Sequence, residues 1–239
     1  MIIIDTHPQV LSNIKVDIIF QDLEQKIKNA SNHPEILKIA EKTLDKAKGI
    51  WKPEAVYQWF KFNYKGKDNF GSVIPNSGGL LKFYFGYSIK FLTYASHALV
   101  AVYTAGQELE AASKKASENG HHLDSYFLDL IGLIVLEKTG NFIKQIAEKK
   151  AAELGWGVSP FLSPGSVHGW ELEEQKKLCS LLPLEKINVN IREDAVLSPF
   201  KTISCLIGLG SGYDMVKVGT TCQVCSKNHD CQMKQENRV

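Results

Sequence analysis

The chain has 239 residues, 44% of them hydrophobic, with 28 basic and 26 acidic side chains and a formal charge of +2. That length buries about three quarters of the unfolded surface and fits one large domain with a small appendage. The near-balance of charge supplies no field for nucleic acid or an anionic membrane, which argues against both as partners. The expected division is a main domain over 1–212 and a cysteine-containing tail over 213–239.

The amino-terminal "MIIIDTHPQVLSNIKVD" has a short apolar run and no basic region ahead of it, so it does not read as a signal peptide. No segment reaches the ~20 apolar residues of a membrane span, and a cytoplasmic protein is expected. The five cysteines, three of them crowded near the carboxyl end, do not resemble a secreted disulfide framework. Reduced thiols or metal ligands suit them better. Asp5 and His7, and the pair His121–His122, read as helix caps or surface residues.

Taken in order, Pro34 to Ile50 places Ile36, Ala40, Leu44, Ala47 and Trp51 on one helical stripe that Lys52–Pro53 ends. Ala55 to Tyr64 is aromatic-rich and runs into a Gly66–Gly71 turn region, the pattern of a strand. His97 to Gly106 reads as a buried strand, and the helix that begins at Gln107 is closed by Gly120. The longest helical pattern covers Leu123 to Leu154 and stops at Gly155; it is apolar nearly all round between Phe127 and Leu136, which places it in the domain interior. A Pro, Gly and Ser loop, "SPFLSPGSVHGW", then enters an acidic helix predicted over Glu171–Leu182. Strands follow at Ile187–Glu193 and Lys201–Gly210, and "GLGSGYD" lacks a complete phosphate-loop spacing and reads as a turn after the last strand. Cys179 and Cys205 sit in apolar surroundings as core residues.

Three places carry candidate chemistry. The loop either connects a strand to a helix or offers backbone N–H groups to a ligand through its Pro164–Gly165 turn. Glu137, beside an apolar stretch, either faces a cationic ligand or pairs at the surface with Lys138 or Lys144. Glu193 carries the same two readings, ligand-facing or surface. At the carboxyl end, Cys222, Cys225 and Cys231 follow C-x2-C-x5-C spacing with His229 inside it. Such a set could hold zinc or, with a further ligand, an iron–sulfur cluster; otherwise it is a reduced tail that caps the domain through Val224 and Met233.

The runs "PEAVYQWFKF", "YTAGQELEAAS", "LDLIGLIVLEKTGNFI", "SPGSVHGWELEEQKKLCSLL" and "INVNIREDAVLSPFKTISCLIGLG" resemble, in this order, the activation (AdoMet-binding) domain of cobalamin-dependent methionine synthase, in particular its stand-alone versions. The resemblance covers roughly residues 34 to 210. Its most specific pieces are the Pro-Gly loop before an acidic helix and the set Glu193, Pro199, Lys201 and Thr202, where Thr202 replaces a more usual serine. It implies an α+β fold with a central antiparallel sheet flanked by helices. It implies binding of S-adenosylmethionine, docking on a corrinoid-carrying protein or the methionine synthase core that brings the cobalamin, and a flavodoxin-like electron donor.

Typical members of that family have Arg-x-x-Pro-Gly-Tyr in the loop; the corresponding residues here are Phe161, Pro164, Gly165 and Ser166, with Ser163 beside them. The clamp for the cofactor carboxylate and the tyrosine wall are both absent, so weakened S-adenosylmethionine binding is expected. Glu137 matches the acidic residue of the family's long helix that faces the cofactor. The resulting expectation is an accessory protein in reductive reactivation of cobalamin-dependent methionine synthase or a related methyltransferase. The alternative is an interaction or electron-delivery module that no longer binds S-adenosylmethionine and uses the cysteine tail.

Overall fold

The computed structural model describes residues 5, 7–27, 33–64, 66, 68–75, 78–219 and 224. Short elements come first: β1 (Gln9–Leu11), α1 (Phe20–Glu24) and α2 (Pro34–Ala47), whose Pro34 occupies the first helical turn. There Pro's fixed φ fits and its missing N–H has no intrahelical partner to lose. Next are β2 (Glu54–Asn63), β3 (Phe70–Ile74), β4 (Leu81–Tyr84), a 3₁₀ helix (Gly86–Leu92) and β5 (His97–Thr104). The helical hairpin of α3 (Gln107–Glu118) and α4 (His122–Leu154) follows, and Gly155, at φ 64°, ends α4 in the left-handed conformation that glycine tolerates. The remainder comprises β6 (Gly157–Val158), α5 (Glu174–Cys179), a second 3₁₀ helix (Leu184–Ile187), β7 (Asn190–Ile191), β8 (Leu197–Ser198) and β9 (Thr202–Gly210).

The main sheet has the order β4-β3-β2-β5-β9-β6, with β1 paired along the same edge of β2 as β3, and all its pairings are antiparallel. Register fixes its two faces. Tyr57, Ala101 and Cys205 align across β2, β5 and β9, and the row beside it is Val56, Val102 and Ser204. Successive residues point to opposite faces, so the first row meets the helices and the second the opposite layer. Ala40 and Leu44 of α2, Leu109 of α3 and Phe127, Ile131, Val135, Ile143 and Ala147 of α4 cover the first face. Phe83, Phe85, Leu162, Trp170 and Leu178 are among the residues that cover the second. The long strands therefore read as apolar runs rather than alternating ones.

The expected fold class, α+β with a central antiparallel sheet flanked by helices, is the one observed. Two elements are shorter than expected. The helix predicted over Glu171–Leu182 is regular only from Glu174 to Cys179. The strand predicted over Ile187–Glu193 is reduced to Asn190–Ile191, paired with β8 in a separate ribbon, because Asn188 turns into the left-handed region at φ 52° and a tight turn closes at Arg192–Val196. "GLGSGYD" is placed as expected: the chain turns at Ser211–Gly212 after the last strand, which closes with Gly208 and Gly210. Their missing side chains allow close approach, since a methyl on Gly210 would overlap the Tyr94 carbonyl. Gly210→Ala should therefore lower the unfolding free energy by about 2 kcal/mol or more, read as a shifted urea midpoint with unchanged slope; an unchanged midpoint would refute this close packing.

Candidate functional site

The loop begins as a sheet edge. Val158 pairs with Leu209 and Leu162 bridges Leu206, so the edge segment carries one residue more than β9 does over this span. The resulting bulge is tied down by Ser159, whose N–H donates to the Gly208 carbonyl and whose Oγ accepts the Gly208 N–H, both at 2.8 Å. Beyond it, neighbouring side chains part company across the sheet. Phe161, 4% exposed, joins the core on the helical face, where its ring centroid lies 5.7 Å from Lys144 Nζ of α4. Leu162 turns to the opposite face.

Ser163 Oγ donates to the Ser204 carbonyl at 2.6 Å. Ser204 Oγ donates to Gln175 Oε1 at 2.7 Å, and Gln175 Nε2 donates to the Ala195 carbonyl at 2.6 Å. This buried relay joins the loop, β9, α5 and the turn between β7 and β8. Pro164 is buried, while Gly165 and Ser166 are exposed in a turn closed by Ser166 N–H to the Ser163 carbonyl, with Gly165 at φ 75°. Farther on, the exposed His168 ring stacks on Tyr87 at 5.1 Å, Ser88 Oγ donates to the His168 carbonyl, and Trp170 is buried against Phe85. The Trp170 Nε1–H has no partner among the described residues.

Glu137 is exposed on α4 and pairs with Lys26 at 2.8 Å, not with either lysine of its own helix. Lys138 is held instead by Asp22 at 2.8 Å, and Lys144 lies over Phe161. Lys144 stands two helical turns, about 10 Å along the axis, beyond Glu137. Glu193 is exposed on the turn after β7, and its carbonyl accepts a hydrogen bond from Lys176. Lys201 runs its stem over Gly132 to reach Asp129 at 2.6 Å, and Thr202 bonds Thr104 through their hydroxyls. Glu137 and Phe161 thus belong to the helical side, Ser163 to Ser166 to the opposite layer, and Glu193 to the β7–β8 ribbon.

Cys222, Cys225, His229 and Cys231 lie outside the described residues. Among the described residues no group of three or more His, Cys, Asp or Glu side chains could hold a metal ion, and no helix is long and apolar enough to cross a membrane. The described residues beyond β9 lie on the domain: the carbonyls of Met215 and Gly219 accept the N–H groups of Val158 and Phe161, Glu148 binds Lys217 and the Val218 N–H, and Val224 is buried in the second core.

No family model matches the chain, and no curated protein matches it in sequence. Among solved structures, the crystal structure of the MetH reactivation domain bound to AdoHcy aligns with 88% of this chain and 81% of its own, at a TM-score of 0.65 and 11% identity. The chain shares the fold of the MetH reactivation domain. At that identity the likeness concerns the fold, and the side chains above must speak for the site.

The relay through Gln175 was not legible as a functional feature. Its only trace in the sequence is a glutamine three residues before Leu178, on the buried side of a short helix. Gln175→Ala leaves the Ala195 carbonyl unpaired in the interior and removes the acceptor of the Ser204 hydroxyl, and should lower stability by about 1–3 kcal/mol; a loss below about 0.5 kcal/mol would contradict the relay. Burial pushes the Cys179 thiol up to about 12 despite the Ser204 hydroxyl, and pushes Cys205 up further in the same direction. Neither is thiolate at pH 8, so neither should react with a disulfide reagent while the chain is folded. A triple Cys222→Ser, Cys225→Ser, Cys231→Ser variant should show no fast-reacting thiol, and rapid labelling of it would show that the buried pair is accessible.

Proposed function

We propose that this chain is an accessory protein that docks on a corrinoid-carrying protein and serves reductive reactivation of cobalamin-dependent methionine synthase or a related methyltransferase. The observation that carries the reading is the fold shared with the MetH reactivation domain over 88% of the chain. The ordered motifs between residues 34 and 210 support it from the sequence side. In this reading the partner brings the cobalamin, and a flavodoxin-like protein is the expected electron source.

The residues present fit S-adenosylmethionine poorly in the family's mode. Phe161 fills apolar core where an arginine would clamp the carboxylate, Ser163 spends its hydroxyl on Ser204, and Glu137 is engaged by Lys26. Gly165 and Ser166 remain open to a ligand through their exposed turn. A charge-assisted bidentate pair is worth about 1.5–3 kcal/mol, so its loss weakens binding by roughly ten- to more than a hundredfold. This favours the docking and electron-delivery form of the reading, in which an iron–sulfur cluster on Cys222, Cys225 and Cys231 would carry the electron, whereas redox-inert zinc on Cys222, Cys225, His229 and Cys231 would serve only as a structural clip.

Two measurements test it. Calorimetry on the isolated chain should give no S-adenosylmethionine dissociation constant tighter than about 100 µM, and a low-micromolar value would overturn the poor fit. Methionine synthase that lacks its own reactivation domain and is trapped as cob(II)alamin should regain turnover when this chain, a flavodoxin-like reductant and S-adenosylmethionine at about 1 mM, enough to load a weak site, are added. If turnover is the same with and without the chain, the accessory role is wrong.

A further inference from the structure

Helices α2 and α3 both lie on α4, and a cavity of about 550 Å³ opens between their carboxyl-terminal halves and the α4 start. Its floor is apolar: Ile50 after α2, Ala112 and Ala116 of α3, and Leu128 of α4. The two alanines keep it open, because they recur at i and i+4 on the α3 face that looks across to α2. A larger side chain at either place would occupy the space. Thr43, one helical turn before Ala47, lines the α2 side.

The rim is cationic. Lys46, Lys115 and His121 stand around the opening with a single carboxylate, Asp124. That carboxylate is already committed: Thr43 Oγ1 donates to it at 2.7 Å, and Lys46 and His121 approach it at 3.9 Å. Lys115 has no carboxylate within ion-pairing distance among the described residues, and Asn119 lies one turn beyond it on the same α3 face. An apolar floor with one uncompensated ammonium and a neighbouring amide at its mouth matches a ligand with an apolar body and one anionic end. The cavity volume falls within the ~300–1,000 Å³ range of small-molecule sites.

We propose that the cavity between α2, α3 and α4 binds a small organic carboxylate with a hydrocarbon body, its carboxylate at Lys115 and Asn119 and its chain over Ala112, Ala116 and Leu128. The site is built from elements other than the Pro-Gly turn and stands or falls apart from the corrinoid reading. Octanoate, titrated into the full chain and followed by amide chemical shifts, should bind saturably with a dissociation constant of about 1 mM or tighter and move resonances of α2, α3 and the α4 start. Octylammonium, with the same body and the opposite charge, should bind at least about tenfold more weakly.

Lys115→Glu reverses an exposed charge without touching the core and should weaken octanoate by about tenfold or more. Ala116→Trp should fill the space and abolish binding; if that variant does not fold, Lys115→Glu decides alone. The proposal is overturned if octanoate gives no saturable shifts at these residues, if octylammonium binds equally well, or if Lys115→Glu leaves octanoate affinity unchanged.

Discussion

Strand β5 is the constraint on which the rest of the chain depends. It is flanked by β2 and β9, and from Ala98 to Thr104 each of its residues is buried, so both faces of the sheet centre must be covered by something other than water. The first face is covered by regular helices. The second is covered by a layer with little regular structure of its own, drawn from the first 3₁₀ helix, the loop after β6 and the short α5. Irregular backbone is costly to bury because its polar groups lack a ladder. The Ser163–Ser204–Gln175–Ala195 relay meets that cost here by joining four separate segments through buried hydrogen bonds.

That solution bears directly on function. The stretch that the family resemblance assigns to ligand binding is also the stretch that closes the second core, and its residues divide between the two tasks. Ser163 and Pro164 face inward, Gly165 and Ser166 face out, and Phe161 crosses to the helical side to pack beneath Lys144. An aromatic ring at that position stabilises the sheet edge and forgoes the ion pair. On the proposed reading the chain keeps the scaffold and alters the binding turn, which moves attention from a nucleoside ligand to the surfaces by which such a scaffold would meet a partner.

The helical half was readable from the sequence because its signals are local. Pro34 at the start of α2, Gly155 after α4 and the apolar run from Phe127 each act within a few residues, and the structure puts the elements within a residue or three of those limits. The opposite layer was not readable in the same way. Glu171–Leu182 has a helical pattern, yet the backbone closes three-residue turns at both ends, Glu174 onto Glu171 and Leu181 and Leu182 onto Leu178 and Cys179, which confine the regular part to Glu174–Cys179. Asn188 breaks an apparent strand by its backbone angle, which no periodicity records. Glu137 shows the limit for the site itself: its exposure was among the expected alternatives, whereas its partner, Lys26, lies 111 residues away in sequence and is brought near only by the packing of α1 on α4.

The central claim is that this scaffold meets a corrinoid-carrying protein, and sedimentation followed at the visible absorbance of bound cobalamin tests it most directly. Mixed with the chain, a cob(II)alamin-loaded methionine synthase core without its own reactivation domain should sediment faster by the mass of one added chain, in a manner that saturates with concentration. A visible boundary that sediments unchanged at all concentrations of the chain, with both proteins folded, would contradict the account.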